Sequence, residues 1–258
     1  MSQQIANPMP RLKRVSAIVP ARNEEETIGA VVAALLRQMR PDGSPWVDEV
    51  IVADNGSTDR TTSVALAAGA HVVYVDAPGY GQACWAATQV ANGDALLFVD
   101  GDGAADAGDC PVLLGALESG VDMAIGVRAN PDPNSMTTAQ VFGNALACVL
   151  IRWVWGANIT DLGPHRAIKR TAFDRIAMQD RGFGWTVEMQ VRAHLLKIPV
   201  AEVVVTWRAR AGGVSKISGT LRGVVGAGCG ILGMVFQLWK NEQKRVDTCA
   251  EQVVLPSR

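Results

Sequence analysis

The chain has 258 residues, of which 48% are hydrophobic and 19% charged, with 24 Lys and Arg against 25 Asp and Glu. This composition excludes a disordered chain, and the formal net charge of −1 argues against a general nucleic-acid-binding protein. A chain of this length buries roughly 70–75% of the surface that its unfolded form exposes, so one α/β domain can form without disulfides or structural metals.

The pattern of short apolar runs predicts strands over residues 15–19, 49–53, 71–75 and 95–99, and helices over 24–38, 59–68 and 80–91. Glu24–Glu26 would lie in the first turn of the first helix, where the helix dipole favours acidic groups. Alternating strands and helices predict a parallel sheet built from βαβ units. Ligands bind at the carboxyl ends of such strands, and polar segments follow all four strands here.

The second half is less regular. An apolar stretch over 140–155 places Phe142, Leu146, Val149 and Trp153 on one helical face, and a strand is predicted over 200–206. Residues 223–239 carry no charge, and a helix of that length is at the short limit for crossing a bilayer. We expect it to lie at a membrane interface, with a single span or an oligomer contact as alternatives.

Charge and cysteine usage add two expectations. Residues 1–130 contain 8 Lys and Arg against 16 Asp and Glu, whereas residues 131–258 contain 16 against 9. An acidic half followed by a basic half indicates two differently charged partners, the alternative being charges scattered over a solvated surface. The five cysteines form no CxxC pair and the three histidines are isolated, which predicts reduced thiols in a cytoplasmic protein and no zinc site.

The strongest local motif is Asp100-Gly101-Asp102 at the end of an apolar strand. Two carboxylates at this spacing can share a hard divalent cation, either directly or through water, with oxygens of a bound diphosphate completing the coordination. The first strand-to-helix turn lacks the glycine patterns of dinucleotide-binding and P-loop proteins. Gly79-Tyr80-Gly81 is interpreted as a loop that lets the backbone approach a ligand.

Successive motifs resemble those of family 2 glycosyltransferases with the GT-A fold, over roughly residues 15–222. They are VSAIVPARNEEE from Val15, EVIVADNGSTD from Glu49 and the Asp100 motif; TDLGPHRAI from Thr160, GWTVEMQ from Gly184 and GVSKIS from Gly213 resemble the polyprenyl-phosphate (dolichyl-phosphate mannose synthase) branch. The resemblance implies an α/β GT-A fold: a single Rossmann-like nucleotide-binding domain with a mostly parallel central sheet, plus a C-terminal apolar helical segment. It divides the chain into an extension (1–14), the transferase domain (15–221, with a nucleotide-sugar half to residue 130 and an acceptor half after it) and an apolar helix and polar tail (222–258).

The resemblance also assigns residues. Asp100 and Asp102 would bind Mg²⁺ or Mn²⁺; Ala104 stands where the family often has a polar side chain, and Asp106 is a weak substitute for a third ligand. The other residues expected to contact the nucleotide are Pro20, Ala21, Arg22, Glu24, Asp54, Gly81, Gln82 and Gly101. Those expected to contact the acceptor or its phosphate are Arg128, Asp161, Arg166, Arg210, Ser215 and Lys216.

The implied activity is inverting, metal-dependent transfer of a hexose from a UDP- or GDP-sugar to a polyprenyl phosphate at the cytoplasmic face of the membrane, with no nucleic-acid partner. Asp102, Glu188 and Arg128 are the candidate catalytic residues. A phosphate nucleophile needs no strong base, whereas a hydroxyl acceptor would use Glu188 as general base. The alternatives are the same donor chemistry with a soluble hydroxyl acceptor, and a non-catalytic protein that binds a nucleotide sugar.

Overall fold

The computed structural model describes residues 11–132, 135–210, 230–240 and 242. The strands are β1 (Val15–Ala21), β2 (Glu49–Asp54), β3 (His71–Tyr74), β4 (Ala95–Phe98), β5 (Met123–Val127), β6 (Arg166–Lys169) and β7 (Val200–Val204). The helices are α1 (Ile28–Leu36), α2 (Thr61–Ala67), α3 (Tyr80–Val90), α4 (Cys110–Glu118), α5 (Thr138–Trp155), α6 (Arg170–Ile176) and α7 (Trp185–Leu195), and residues 230–240 are also helical.

The strands form one sheet in the order β3-β2-β1-β4-β6-β5-β7. All neighbours are parallel except β6, which runs antiparallel to both β4 and β5. This confirms the predicted α/β fold with a mostly parallel sheet. The sequence pattern does not predict the antiparallel direction of β6. After β5 the chain forms α5, which packs against α7, and it then re-enters the sheet from the carboxyl end of β5.

Helices cover both faces of the sheet, as the buried strands require. Residues of α1, α2 and α4 pack on one face, and residues of α3, α6 and α7 pack on the other. On the second face Phe98, Phe173 and Trp185 form a ring cluster with centroids 6.2 Å apart. In the described part of the chain Cys84, Cys110 and Cys148 are buried free thiols, and the other two cysteines lie outside it.

The start of α1 differs from the prediction. The helix begins at Ile28, so Glu24–Glu26 lie in the preceding turn and not in its first turn. The carbonyl of Glu24 accepts from the backbone N–H groups of Thr27 and Ile28 at 3.0 and 2.9 Å. The Thr27 hydroxyl donates to the carbonyl of Gly101 at 2.8 Å. This bond ties the turn to the loop after β4 and holds the acidic residues at the edge of the sheet.

The predicted interfacial helix over 223–239 lies partly outside the described residues, which resume at 230. Met234, Val235 and Leu238 of the 230–240 helix are buried in a cluster with residues of α5 and α7. No helix in the described ranges combines the length and apolar character needed to cross a membrane.

Candidate active site

The loop after β4 packs tightly against the end of β1. A Cβ atom added at Gly101 would lie 3.2 Å from Ile28 Cδ1 and 3.3 Å from Ala21 Cβ. Glycine at this position therefore allows the Asp100-Gly101-Asp102 loop to sit directly beside β1. The carboxyl ends of β1 and β2 are in register there, with Ala21 opposite Asp54. The metal-binding and nucleotide-binding candidates of the sequence thus meet at one edge of the sheet.

Asp100 is held from α3. The Tyr80 hydroxyl donates to Asp100 Oδ1 at 3.1 Å. Burial and the charge of Asp102 raise the pKa of Asp100 well above its ordinary value. Burial and the neighbouring Asp100 also raise the pKa of Tyr80, which keeps its hydroxyl protonated as a donor. A carboxylate with a raised pKa beside a second carboxylate is stabilised when a cation binds between them.

Asp102 forms an ion pair with Arg210, which is distant from it in the sequence. Arg210 Nε and Nη2 lie 2.8 and 2.7 Å from Asp102 Oδ2, and Nη2 lies 3.5 Å from Glu24 Oε1. The other oxygen, Asp102 Oδ1, accepts from the Ala104 N–H at 3.0 Å. Arg210 Nη1 is buried with no hydrogen-bond partner among the described residues. The guanidinium therefore lies where a cation is needed, with one donor still to be satisfied.

The donor set at this site fits a hard divalent cation. Asp100 and Asp102 supply carboxylate oxygens, which Mg²⁺ and Mn²⁺ prefer. Asp106, the expected weak substitute for a third ligand, is paired with Arg208. The described residues contain no group of three or more His, Cys, Asp or Glu side chains placed to hold a metal. Two protein carboxylates leave coordination positions for diphosphate oxygens.

The remaining nucleotide candidates differ in accessibility. Pro20 is partly exposed, Ala21 is buried at the end of β1, and Arg22 is exposed. The buried Asp54 carboxylate accepts from the Ser57 N–H at 2.8 Å and from the Thr62 hydroxyl. It therefore shapes the loop after β2.

The Gly79–Gly81 turn packs closely against the loop that precedes α7. The N–H groups of Gly81 and Gln82 donate to the carbonyls of Gly182 and Arg181 at 3.0 and 2.8 Å. A Cβ atom at Gly79 would lie 2.3 Å from the Arg181 carbonyl oxygen. The glycines thus admit the loop that precedes α7, and these N–H groups are not free for a ligand.

The acceptor-side candidates Arg128 and Asp161 form a buried ion pair. The Arg128 backbone N–H and Nε donate to Asp161 Oδ2 at 2.8 and 2.9 Å, and Nη2 contacts Oδ1. Asn144 of α5 joins the pair through Arg128 Nη2 at 3.4 Å and also accepts from the Leu162 N–H at 3.0 Å. The guanidinium carbon of Arg128 lies 5.1 Å from the centre of the Trp207 ring. These contacts fix Arg128 at the carboxyl end of β5.

Arg166 has a different position from the one expected. Its side chain is 1% exposed, and its guanidinium donates to the carbonyls of Leu162, Gly163 and Thr186. Burial lowers its pKa to about 10, so it remains a cation at neutral pH. Arg166 thus joins residues 162–163 to α7. Its guanidinium is buried among these carbonyls and cannot reach an acceptor phosphate.

Glu188 is also buried and engaged. Its carboxylate accepts from the N–H groups of Gln179 at 3.0 and 3.1 Å and of Asp180 at 2.7 Å, and it lies 3.5 Å from Arg192 Nη1. This geometry holds the loop before α7 and offers no open path to a hydroxyl acceptor. The role of Glu188 as a base stays an untested prediction. Ser215 and Lys216 lie outside the described residues.

Sequence reasoning missed Tyr80, Asn144 and Trp207 as site residues. Tyr80 was considered as part of a glycine turn and as the start of a predicted helix, and its position as the first residue of α3 gave no sign of its bond to Asp100. Asn144 was the one polar break on the inner side of an apolar stretch, which is a signal that could have been used.

Comparison with known proteins decides the family. Residues 16–177 match the family described as Glycosyl transferase family 2. The chain belongs to this family. It is a nucleotide-sugar glycosyltransferase.

Two relatives match most of the chain. One is an uncharacterized glycosyltransferase of Mycobacterium tuberculosis, 33% identical over 88% of this chain and 96% of the relative. The other is the glycosyltransferase AglJ of Haloferax volcanii, 34% identical over 80% of this chain and 66% of the relative. The glucosyl-3-phosphoglycerate synthase of Mycolicibacterium smegmatis is 43% identical over only 35% of this chain and 31% of its own length.

A solved structure shares the fold. The M. tuberculosis glucosyl-3-phosphoglycerate synthase in complex with Mn²⁺, UDP and glucosyl-3-phosphoglycerate superimposes with a TM-score of 0.66 at 23% identity, covering 86% of this chain and 80% of that one. At this level of identity the likeness establishes the fold alone.

Proposed function

We propose that the enzyme performs metal-dependent, inverting transfer of a hexose from a UDP-sugar to an acceptor that carries a phosphate group. The observation that carries this proposal is the Asp100–Asp102 pair at the carboxyl end of β4, with Arg210 bonded to Asp102. UDP is preferred over GDP because UDP and Mn²⁺ are bound by the synthase that shares the fold.

The site residues suit the charge that develops in this reaction. The diphosphate leaving group gains negative charge as the glycosidic bond breaks, and the metal supplies electrostatic stabilisation when bound by Asp100 and Asp102. Arg210 has a partly exposed side chain with an unpartnered Nη1, so it can turn from Asp102 to a phosphate oxygen. Tyr80 keeps Asp100 oriented.

One form of the acceptor is a soluble phosphorylated molecule whose hydroxyl attacks the sugar. The names of the matching synthases support it, since their product is glucosyl-3-phosphoglycerate. This form needs a group that takes the hydroxyl proton, and Glu188 is the candidate from the sequence. For Glu188 to act, the loop at Gln179–Asp180 would have to release its carboxylate.

The second form is a polyprenyl phosphate, whose ionised oxygen attacks without a base. The occupied carboxylate of Glu188 supports this form, because a phosphate nucleophile has no proton to lose. It would place the enzyme peripherally on the cytoplasmic face of the membrane.

One assay separates these possibilities. The full chain is incubated with Mn²⁺ and radiolabelled UDP-glucose or GDP-mannose, together with either 3-phosphoglycerate or a short-chain polyprenyl phosphate, and the products are extracted with organic solvent. Metal-dependent label in the aqueous product supports the hydroxyl form, and label in the organic phase supports the lipid form. Nucleotide binding without turnover on any acceptor would overturn the proposal in favour of a non-catalytic binding protein.

A further inference from the structure

Helix α5 is well formed but only partly covered. Thr137 and Gln140 form a capping box at its start, and Gly156 ends it in the left-handed conformation. Its inner side contributes Ala147, Cys148 and Ile151 to the cluster shared with α7 and the 230–240 helix. The helix is therefore anchored to the body of the enzyme along one side.

The outer side of α5 is apolar, although it faces solvent. Its exposed side chains are Val141 (51%), Phe142 (68%), Leu146 (37%), Val149 (61%) and Trp153 (83%). An amphipathic helix of a globular protein normally presents polar residues on this side. Contiguous exposed apolar surface of this kind marks an interaction site.

The 230–240 helix repeats the pattern. Leu232, Phe236 and Trp239 are exposed while Met234 and Leu238 are buried. The exposed Phe236 and Trp239 rings pack with centroids 5.8 Å apart. Two helices of one cluster thus each expose an aromatic apolar face.

The charged residues within α5 and residues 230–240 are basic, and the acidic Glu242 follows two residues after Lys240. Thr138–Trp155 contains one charged residue, Arg152, and it is exposed next to Trp153. Residues 230–240 contain one charged residue, Lys240, exposed next to Trp239. Tryptophan beside a cation, at the end of an apolar helical face, suits the boundary between lipid tails and anionic headgroups.

We propose that the exposed faces of α5 and of residues 230–240 form a docking surface for an anionic phospholipid bilayer. A bilayer with anionic headgroups suits this surface better than a second copy of the chain, because α5 and residues 230–240 contain no acidic residue that could pair with Arg152 or Lys240 in a self-complementary contact. This inference rests on the lipid-phosphate form of the proposed function, and it is tested without donor or turnover.

The test is co-sedimentation of the full chain with vesicles of phosphatidylglycerol and phosphatidylcholine, compared with vesicles of phosphatidylcholine alone. We expect stronger binding to the anionic vesicles. The double variant Phe142→Ser, Trp153→Ser should bind at least about tenfold more weakly, because each ring loses its apolar burial in the bilayer. Tyr74→Ser, which removes an aromatic ring 72% exposed on β3, is the matched control and should bind like the wild type.

The outcomes separate this surface from the transfer activity. Failure of the wild type to bind anionic vesicles overturns the docking surface, as does unchanged binding by the double variant. A wild-type dimer in light scattering that the double variant converts to a monomer, without vesicle binding, assigns the surface to a second copy and also overturns it. Transfer from UDP-glucose to a short-chain polyprenyl phosphate that is the same in wild type and variant would keep the proposed function even if docking fails.

Discussion

The candidate donor side, around Asp100 and Asp102, and the candidate acceptor side, around Arg128 and Asp161, lie at one edge of the sheet but differ in how their charges are paired. On the donor side, Asp100 and Asp102 lie close together, and Arg210 is bonded only to the second of them. On the acceptor side, Arg128 is neutralised by Asp161 and Arg166 is surrounded by backbone carbonyls. The donor side therefore has two carboxylates that need a cation. On the described acceptor side, by contrast, the arginines are already bonded to protein groups.

This comparison changes the meaning of the acidic and basic halves of the sequence. The basic half does not simply form a positive surface, because several of its cations pair with acids of the first half. Arg210 pairs with Asp102, Arg208 with Asp106 and Lys169 with Asp122. Part of the sequence asymmetry is thus cancelled by ion pairs between the halves.

The largest effect is expected at the donor side. Asp102→Asn should lower metal-dependent turnover by roughly 10³-fold, because the variant loses a carboxylate that binds the cation and the leaving group loses electrostatic stabilisation. The measurement is UDP release from UDP-glucose at saturating Mn²⁺. Asp174→Asn, on the exposed side of α6, is the control and should retain activity. Normal turnover by the Asp102 variant would refute the metal assignment.

Breaking the acceptor-side pair should cost stability. Asp161→Asn leaves the largely buried Arg128 cation without its charge partner, and we expect the free energy of unfolding to fall by about 3 kcal/mol. Urea denaturation measures the change. Asp122→Asn removes the more exposed pair with Lys169 and should cost less than about 1 kcal/mol. Equal costs would mean that burial does not distinguish the two pairs.

One buried histidine next to β6 should make the stability of the protein depend on pH. His165, just before β6, is fully buried, and burial lowers its pKa to about 4 against a smaller opposing effect of Asp106. The unfolded chain takes up the proton near pH 6.5, so this contribution to stability is complete above that pH and is lost as the pH falls toward 4. At pH 5 the loss should be about 2 kcal/mol relative to pH 7.5.

Chemical denaturation across this pH range, on wild type and His165→Leu, measures that contribution. The variant has no titrating group at this position, so its stability should fall less steeply between pH 7.5 and 5. Parallel curves for the two proteins would show that His165 is not held neutral in the native state.

The smallest effect is expected when the ion pair between Arg210 and Asp102 is removed. Arg210→Ala removes a cation from Asp102, so Mn²⁺ should bind the free enzyme about 3- to 10-fold more tightly while donor turnover falls. Electron paramagnetic resonance of free Mn²⁺ gives the affinity. Lys169→Ala, whose partner is Asp122, is the matched control and should leave Mn²⁺ binding unchanged. Weaker Mn²⁺ binding by the Arg210 variant would contradict competition between guanidinium and metal.

The sequence predicts the donor side better than the acceptor side, for a physical reason. β1 to β4 alternate with helices, so hydrophobic periodicity locates each element and the carboxyl ends of the strands locate the polar loops. The acceptor side depends on β6, whose four residues give no periodic signal. Burial there converts Arg166 from an expected phosphate ligand into a structural cation, and local sequence does not report burial.

Local sequence also does not report the tertiary contacts of Gly81 and Glu188. The family resemblance assigns a role to both residues, but their contacts are made with loops outside the motifs, Gly81 with Gly182 and Glu188 with Gln179 and Asp180. Motif positions can be read from one sequence, whereas the use of each hydrogen-bonding group depends on the tertiary neighbours.

The antiparallel insertion of β6 between β4 and β5 also has a consequence for biosynthesis. β1 to β4 can pair with one another as soon as residues 15–98 have left the ribosome, because each new strand finds its neighbour among those already made. β5 emerges before either of its partners, β6 and β7, and must wait until α5 has been translated. A nascent chain stalled within α5 would therefore display an unpaired apolar strand, which makes this interval the one in which the enzyme most needs protection from aggregation.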